Sequence, residues 1–182
     1  LNELRDKAYK TACEHGLHDQ ELSNEHCLCL VISELMKAVE ADRKRKYFKG
    51  KIMFERDFNL YSALVEENVR YRNAFEKHIK DTVGDKLADT VIRLLDLAGL
   101  RNLNLNRFAL VNVVSKKKTF TENIHSIVKD ITNYKYTLEE LVNYAITQVF
   151  VLSDILDIDL LWHIEHKMKY NELREDMYGK KY

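Results

Sequence analysis

The sequence predicts an all-α fold, a bundle of five to seven helices. The chain has no proline and only five glycines among its 182 residues, and its abundant Leu, Lys, Glu and Ala favour long helices. Apolar residues also recur at helical spacing in most segments. Because no stretch rich in glycine or serine separates domains, residues 1–182 are expected to form a single helical domain.

The N-terminal quarter contains two predicted helices. Residues 1–15 form the first, and Gly16 is a suitable stop because glycine tolerates the left-handed conformation that follows many helices. Ser23 or Asn24 can cap the second, which runs from about Glu25 to Lys46. Its apolar side follows the spacing i, i+3, i+4, i+7 and i+11, through Leu28, Val31, Ile32, Leu35 and Val39.

The middle of the chain adds a charged, aromatic helical segment and a strong core helix. Residues 58–81 form the first, with apolar positions at Leu60, Leu64, Phe75 and Ile79. Asp85 to Ala98 form the second, and Gly99 stands where a C′ glycine would end it. The core-facing residues of that helix are Leu87, Val91, Leu94, Leu95 and Ala98.

The last part of the chain predicts three more helices. Residues 100–118 are irregular, which is typical of a loop or a short strand-like run. Thr119–Glu122 and Thr137–Glu140 both have the T-x-x-E pattern of a capping box and predict a helix start. A final helix is expected from about Asp159 to Glu172, followed by a polar tail.

Charge and cysteine content exclude several classes of partner and compartment. Lys plus Arg and Asp plus Glu are balanced at 29 each, which argues against duplex nucleic acid as a partner because it requires a basic surface. No apolar run approaches the roughly 18 to 20 residues of a membrane span, and LNELRDKAYK has no apolar core of a signal peptide. The odd cysteine count, with Cys27 and Cys29 in an apolar helical run, predicts buried reduced thiols in a cytoplasmic protein.

Charged residues recur at three-residue spacing along the second predicted helix. In SELMKAVEADRK, Glu34, position 37 and Glu40 lie on one side of the helix. Three acids at this spacing would suit a hard cation such as Mg²⁺. Position 37, however, is a lysine, so the stretch indicates an altered metal site or an ordinary charged helix face.

A second acidic group lies on the helix predicted from Asp85, with further acids at Asp89 and Asp96. Asp89 lies within the apolar stretch LADTVIRLL, and a buried carboxylate without a partner is costly. It therefore needs a cation, which is a metal, a lysine or Arg93 four residues further along the helix.

Three stretches of the chain together resemble the MazG-like all-α nucleoside triphosphate pyrophosphohydrolases: HDQELSNEHCLCLVISELMKAVEADRK, FEKHIKDTVGDKLADTVIRLLDLAGL and DLLWHIEHKMKYNELREDMYGKKY. The resemblance leaves out 47–73 and 101–135, which are expected to be family-variable segments, including a helical insertion. It implies a helical bundle, usually a homodimer or homotetramer, that converts a (d)NTP to (d)NMP and pyrophosphate with Mg²⁺.

The resemblance also implies a ligand set, and this chain departs from it. The family motif is EExxE on one helix and ExxD on the next, of which four acids bind Mg²⁺. Here Glu34 and Asp89 stand at ligand positions, Lys37 and Lys86 replace the other two glutamates, and Ser33 replaces the outer one. Each lysine is expected to pair with the acid three residues away. At ~4 Å and an effective dielectric near 20, a unit charge pair interacts by roughly 4 kcal/mol, so two lysines would strongly oppose a divalent ion.

Two functional hypotheses follow. In the first, the chain is a weak or unusual Mg²⁺-dependent pyrophosphohydrolase, with one ion held by Glu34, Asp89 and Asp85 and with Glu40 further out. In the second, it is a catalytically silent homologue that binds a nucleotide or a partner protein. The lysines would then hold phosphates directly and could not activate water.

The C-terminal helix supplies the candidate nucleotide contacts. Lys167, Asn171 and Arg174 share a helix face, and the family places a similar K-x-x-x-N-x-x-R pattern around the nucleotide; a solvated terminal helix is the alternative. The tail after Arg174 lacks the aromatic–proline pair that the resemblance predicts. His18, in the loop after the first helix, is a further candidate contact.

Trp162 is expected in the core or a subunit interface, with base stacking as the alternative. His163 and His166, three residues apart on the last helix, would need further ligands to hold a transition metal.

Overall fold

The computed structural model describes residues 1–106, 119–133 and 135–174, and within them the fold is all-α, as predicted. These residues form eight helices and no strand, one helix more than the predicted maximum. The helices are α1 (Asn2–Glu14), α2 (Asn24–Arg43), α3 (Lys51–Asn59), α4 (Glu67–His78), α5 (Val83–Leu100), α6 (Phe120–Ile131), α7 (Leu138–Ile155) and α8 (Leu160–Glu172).

α5 is the central helix of the bundle. It packs against α1, α2, α7 and α8, while α6 covers α2 and α7. More than half of its residues are buried, which explains the near-continuous apolar sequence of this segment. The fully buried side chains of this main core include Leu35, Leu87, Leu94, Leu95, Leu97, Ile124, Ile127, Ile146 and Leu152.

α3 and α4 form a hairpin with its own smaller aromatic core, packed against α8. The prediction of one continuous helical segment over residues 58–81 is therefore wrong in its first part. Residues 60–66 form a turn in which Tyr61 takes the left-handed conformation (φ 59°), and Leu60 and Leu64 are exposed by 51% and 83%. The smaller core contains Phe54, Tyr71, Phe75, Ile79 and Tyr170.

The predicted helix caps are confirmed. The Ser23 hydroxyl accepts a hydrogen bond from the His26 amide at the start of α2. Thr119 and Thr137 each begin a helix with both bonds of a capping box in place. Gly16 follows the end of α1 with φ 69°, the conformation for which glycine is favoured.

Gly99 has a different role from the one predicted. It lies inside α5, which continues to Leu100, so it is not the C′ residue. A Cβ atom at Gly99 would lie 2.4 Å from Cβ of Tyr9 on α1. The glycine is therefore needed for the close approach of α1 and α5.

All three cysteines are free thiols, as expected, but only Cys27 is buried; Cys13 and Cys29 are exposed. Cys29 follows Cys27 by two positions in α2, and this spacing places the two side chains on different sides of the helix, with Cys29 facing solvent. Among the described residues no single helix is long and apolar enough to cross a membrane; α7 and α8 pass that test only together, across a 114° bend. Most of the predicted irregular run 100–118 and the tail after Arg174 lie outside the described residues.

Candidate functional site

A cavity of about 420 Å³ opens between α1, α2, α5 and α8. Six basic and three acidic side chains line it, together with an apolar wall that includes Ala8, Leu30, Ile92 and Met168. Its size and mixed lining are typical of small-molecule sites. The charged lining residues are Glu34, Lys37, Lys80, Lys86, Asp89, Arg93, Asp96, Lys167 and Arg174.

On the α2 side of the cavity, Glu34 is buried and pairs with Lys37. The Lys37 Nζ donates to Glu34 Oε1 at 2.9 Å, so the ion pair predicted from their spacing is confirmed. The Lys37 side chain is 53% exposed and reaches the pair from the solvent side. Glu34 Oε2 is buried and accepts no hydrogen bond from any described residue.

On the α5 side, Lys86 binds three carboxylates. Its Nζ lies 3.0 Å from Asp81 Oδ1, 3.2 Å from Asp85 Oδ2 and 3.6 Å from Asp89 Oδ2. The predicted pair with Asp89 is therefore present, but it is the longest of the three contacts. The first turn of α5 thus forms a small ionic network around one lysine.

Lys167 of α8 completes this network. Its Nζ lies 2.9 Å from Asp85 Oδ1 and 2.9 Å from Asp89 Oδ2. The cation nearest to Asp89 is therefore Lys167, 78 positions further along the chain (167 − 89), and not Arg93. The sequence does not indicate this, because the i+4 spacing within α5 is visible and the packing of α8 on α5 is not.

Asp85 supports the wall of the cavity and is not part of its lining. It is fully buried, and its carboxylate accepts a hydrogen bond from the Asp81 amide at 2.8 Å in addition to the two lysines. Both oxygens are thus occupied by protein donors, which makes Asp85 a poor third ligand for an ion. Glu40, the other auxiliary acid, pairs with Arg43 and Lys44 and does not line the cavity.

The network keeps both lysines charged. Burial lowers the pKa of Lys86, but Asp85, Asp89 and Asp81 more than offset this and hold it well above its ordinary value. The pKa of Lys167 is raised in the same way, with burial opposed by Asp89 and Asp85. For Asp89, burial raises the pKa while Lys167 opposes the increase. Two ammonium groups therefore remain fixed at one side of the cavity at neutral pH.

These residues do not fit the Mg²⁺ pair that the resemblance implies. Mg²⁺ binds through ionised carboxylates that are free to face it, whereas Lys37 bonds to Glu34 and two lysines bond to Asp89. Within the described ranges, no group of three or more His, Cys, Asp or Glu side chains is arranged to hold a metal ion. The departure seen in the sequence therefore extends to the geometry of the site.

The three predicted nucleotide contacts lie together on the cavity wall. Lys167 and Asn171 come from α8, and Arg174 follows the end of that helix. Lys167, however, is committed to the two aspartates of α5. Asn171 Oδ1 is buried and accepts no hydrogen bond within the part of the chain that the structure describes, so it can accept one from a ligand.

Arg93, Lys80 and Tyr170 are among the lining residues that were not predicted as ligand contacts. Arg93 lines the cavity and makes no hydrogen bond or ion pair with any described residue. Lys80 lies between α4 and α5, and Tyr170 stacks on Phe75 with ring centroids 4.2 Å apart. Only Arg93 had a signal in the sequence, because it shares the helix face of Asp89.

His18, which was predicted as a ligand contact, does not line this cavity. His18 Nε2 lies 2.7 Å from Asp96 Oδ1, and the ring lines a smaller adjoining hollow. His15, one turn earlier, lines the main cavity instead. The end of α1 therefore contributes His15 to the cavity lining, whereas His18 was the histidine predicted there.

The aromatic and histidine side chains of early α8 pack in and beside the smaller aromatic core, with His163 buried and Trp162 and His166 half-buried. Trp162 stacks on His166 with centroids 3.8 Å apart and on Phe48 at 4.9 Å. His166 Nδ1 donates to the Trp162 carbonyl at 2.9 Å. His163 is buried against Gly84, where an added Cβ would meet its ring at 2.5 Å. Trp162 therefore does not line the cavity as a base-stacking residue, and the two histidines belong to no metal cluster among the described residues.

Comparisons with known proteins returned no match: no family model, no curated protein and no solved structure matches this chain.

Proposed function

We propose that this chain binds a nucleotide, or a closely related phosphate ester, and does not hydrolyse it. The observation that carries the proposal is the cavity itself, in which lysines occupy the carboxylates expected to hold metal while other cations face the open space. This is the silent-homologue form of the MazG-like resemblance. Because no comparison supports that resemblance, the proposal depends on the cavity and on the sequence motifs alone.

The cations suited to phosphate are those outside the ionic network. Arg93 has no ion-pair partner among the described residues, and its planar guanidinium suits two phosphate oxygens at once. Among the residues that the structure describes, the Lys80 ammonium group makes one ion pair, a 3.7 Å contact with Glu76. Asn171 Oδ1, which accepts no hydrogen bond from the described part of the chain, could accept one from a sugar hydroxyl or a base amino group.

The same arrangement argues against hydrolysis. Pyrophosphohydrolysis in the resembled family depends on metal ions that lower the pKa of the attacking water. A lysine ammonium can stabilise phosphate charge, but it cannot generate hydroxide from water. The two carboxylates placed to act as a base, Glu34 and Asp89, each bond to a lysine.

Isothermal titration with nucleoside mono-, di- and triphosphates, combined with a pyrophosphate-release assay, tests the proposal. We expect binding without turnover, with Mg²⁺ or Mn²⁺ present or absent. Replacement of Arg93 by alanine should weaken binding by about 10- to 100-fold, because it removes a charged hydrogen bond worth roughly 1.5–3 kcal/mol.

Arg43→Ala is the matched control, since Arg43 lies on α2, pairs with Glu40 and does not line the cavity; it should leave binding unchanged. Turnover by the unmodified chain that is lost in Asp89→Ala would contradict the proposal and favour the pyrophosphohydrolase. Absence of binding to any nucleotide would reject nucleotide binding altogether.

A further inference from the structure

We infer that divalent metal ions oppose ligand binding at this cavity, so that its ligand is a phosphate ester free of bound metal. The inference rests on the proposed function and names the form of the ligand. It reverses the requirement of the resembled family, in which the metal bridges protein and phosphate. Its basis is the position of three ammonium groups relative to the remaining carboxylates.

The first step concerns the places that a bridging metal would need. Lys37 holds Glu34 at 2.9 Å, and Lys167 holds Asp89 at 2.9 Å with Lys86 at 3.6 Å. Glu34 Oε2 has no partner among the described residues, but an ion there would face the Lys37 ammonium across a single carboxylate. A metal carried in by a phosphate ester would thus meet cations where it needs oxygen ligands.

The second step concerns charge. The cavity lining contains six basic and three acidic side chains. Asp81 and Asp85, which bond to Lys86 from behind the wall, and Glu76, which pairs with Lys80 at 3.7 Å, offset this formal excess, so the positive charge is local to the ammonium and guanidinium groups that line the cavity. A bound divalent ion removes two negative charges from a phosphate ester, so the complex is attracted less strongly than the free anion.

The third step concerns the ammonium groups as substitutes for the metal. Lys86 and Lys167 are held in place by Asp81, Asp85 and Asp89, and their charges are fixed by these contacts. The two lysines therefore occupy the carboxylates that metal ions would otherwise bind, and no rearrangement of the protein is needed to keep them there. The phosphate is left to the cations outside the network, Arg93 and Lys80.

The test measures the affinity for ADP and for AMP by titration calorimetry, once with EDTA and once with saturating Mg²⁺. We expect Mg²⁺ to weaken ADP binding by at least about tenfold. AMP chelates Mg²⁺ poorly, so its affinity should change little. Equal or tighter ADP binding with Mg²⁺ would overturn this inference and leave nucleotide binding intact. An equal loss for AMP would also overturn it, because the metal would then act on the protein alone.

Variants make the test directional. Lys37→Glu/Lys86→Glu should reverse the sign, so that Mg²⁺ strengthens ADP binding, whereas Arg43→Glu, the same charge change outside the cavity on α2, should retain the penalty. Circular dichroism checks the fold of each variant.

If the double variant does not fold, Lys37→Gln removes one half-exposed cation, and the Mg²⁺ penalty should then shrink. An unchanged penalty in the folded variants would overturn the assignment to these lysines. Failure of the unmodified chain to bind nucleotide in either solution would reject the proposed function itself.

Discussion

Lys167 joins two helices through buried charges. Its ammonium group reaches Asp85 and Asp89 of α5 from the middle of α8, and Asp85 is fully buried. A buried ion pair is a weak source of net stability, but breaking one leaves an uncompensated charge. Lys167 therefore serves the structure first, and its ammonium group occupies the carboxylates on that side of the cavity.

Replacement of Lys167 by methionine should destabilise the protein by about 3 kcal/mol or more, because Asp85 and Asp89 would then share only Lys86. Urea unfolding followed by circular dichroism measures the change. Lys169→Met is the matched control on the same helix. It breaks an exposed 3.4 Å pair with Glu67 and the cation–π contacts of Lys169 with Tyr71 at 4.4 Å and Phe58 at 5.8 Å, and it should change stability by roughly 1 kcal/mol because the lysine is partly exposed and methionine still packs on the rings. Similar losses in the two variants would contradict the structural role of Lys167.

His163 makes stability depend on pH. Burial lowers its pKa to about 4, with Asp85 and Asp159 opposing the shift and His166 adding to it. The unfolded chain binds the proton near the ordinary histidine value of about 6.5. Protonation therefore favours unfolding, and the stability associated with neutral His163 is present above pH 6.5 and is lost as the pH falls toward 4.

The expected loss from His163 between pH 6.5 and 4 is about 3 kcal/mol, since one pKa unit corresponds to 1.36 kcal/mol. Urea unfolding at intervals across this range measures it. His163→Leu, which cannot take up a proton, should flatten the profile by about that amount. An identical pH profile in the variant would show that other groups produce the dependence.

At the scale of elements, α5 contacts its neighbours through two glycines. Gly84 leaves room for the His163 ring, and Gly99 leaves room for Tyr9. Neither position has a left-handed φ, so both glycines are required by close helix approach rather than by backbone conformation. The two contacts fix α8 and α1 against opposite ends of α5, and these helices form two walls of the cavity.

Gly99→Ala should destabilise the protein by about 1–3 kcal/mol, because the new methyl group would lie 2.4 Å from Cβ of Tyr9 and force the helices apart. Thermal and urea unfolding measure the loss. In the double variant with Tyr9→Ala the two changes should not be additive, with a coupling of at least about 1 kcal/mol. Strict additivity would mean that α1 and α5 are not held by this contact.

Local signals predicted the elements that depend on local chemistry. Ser23, Thr119 and Thr137 begin helices because their side chains satisfy nearby amides, and Gly16 ends one because it takes positive φ. The prediction failed where tertiary packing decides. The turn between α3 and α4 interrupts an apparently continuous pattern, and Gly99 resembles a helix stop only until Tyr9 is placed against it.

Taken as a whole, the molecule has a bundle around α5 and an aromatic hairpin of α3 and α4, and the cavity lies near their junction. Tyr170 belongs to the aromatic core, where its ring stacks on Phe75 and its hydroxyl donates a hydrogen bond to Glu76 Oε1 at 2.7 Å. It also lines the cavity. Lys80, at the end of the hairpin, lines it too. The hairpin therefore contributes to the site as well as to the fold.

The candidate site was predictable only where its contacts lie within one helix. Pairs within one helix, such as Lys37 with Glu34, follow from spacing and are present. The cross-helix contacts of Lys167, the burial of Asp85 and the position of Arg93 depend on how α8 and α5 pack. The sequence therefore indicated that two expected ligands were lysines, but not that a third lysine joins them.

We propose that lysines stand in place of metal ions at a nucleotide-type cavity. Titration with Mn²⁺ followed by electron paramagnetic resonance tests it most directly, because it counts bound ions without requiring turnover. The unmodified chain should bind no Mn²⁺ more tightly than about millimolar, whereas Lys37→Glu/Lys86→Glu should gain at least one such site. Tight, stoichiometric Mn²⁺ binding by the unmodified chain, abolished by Asp89→Ala, would contradict the account.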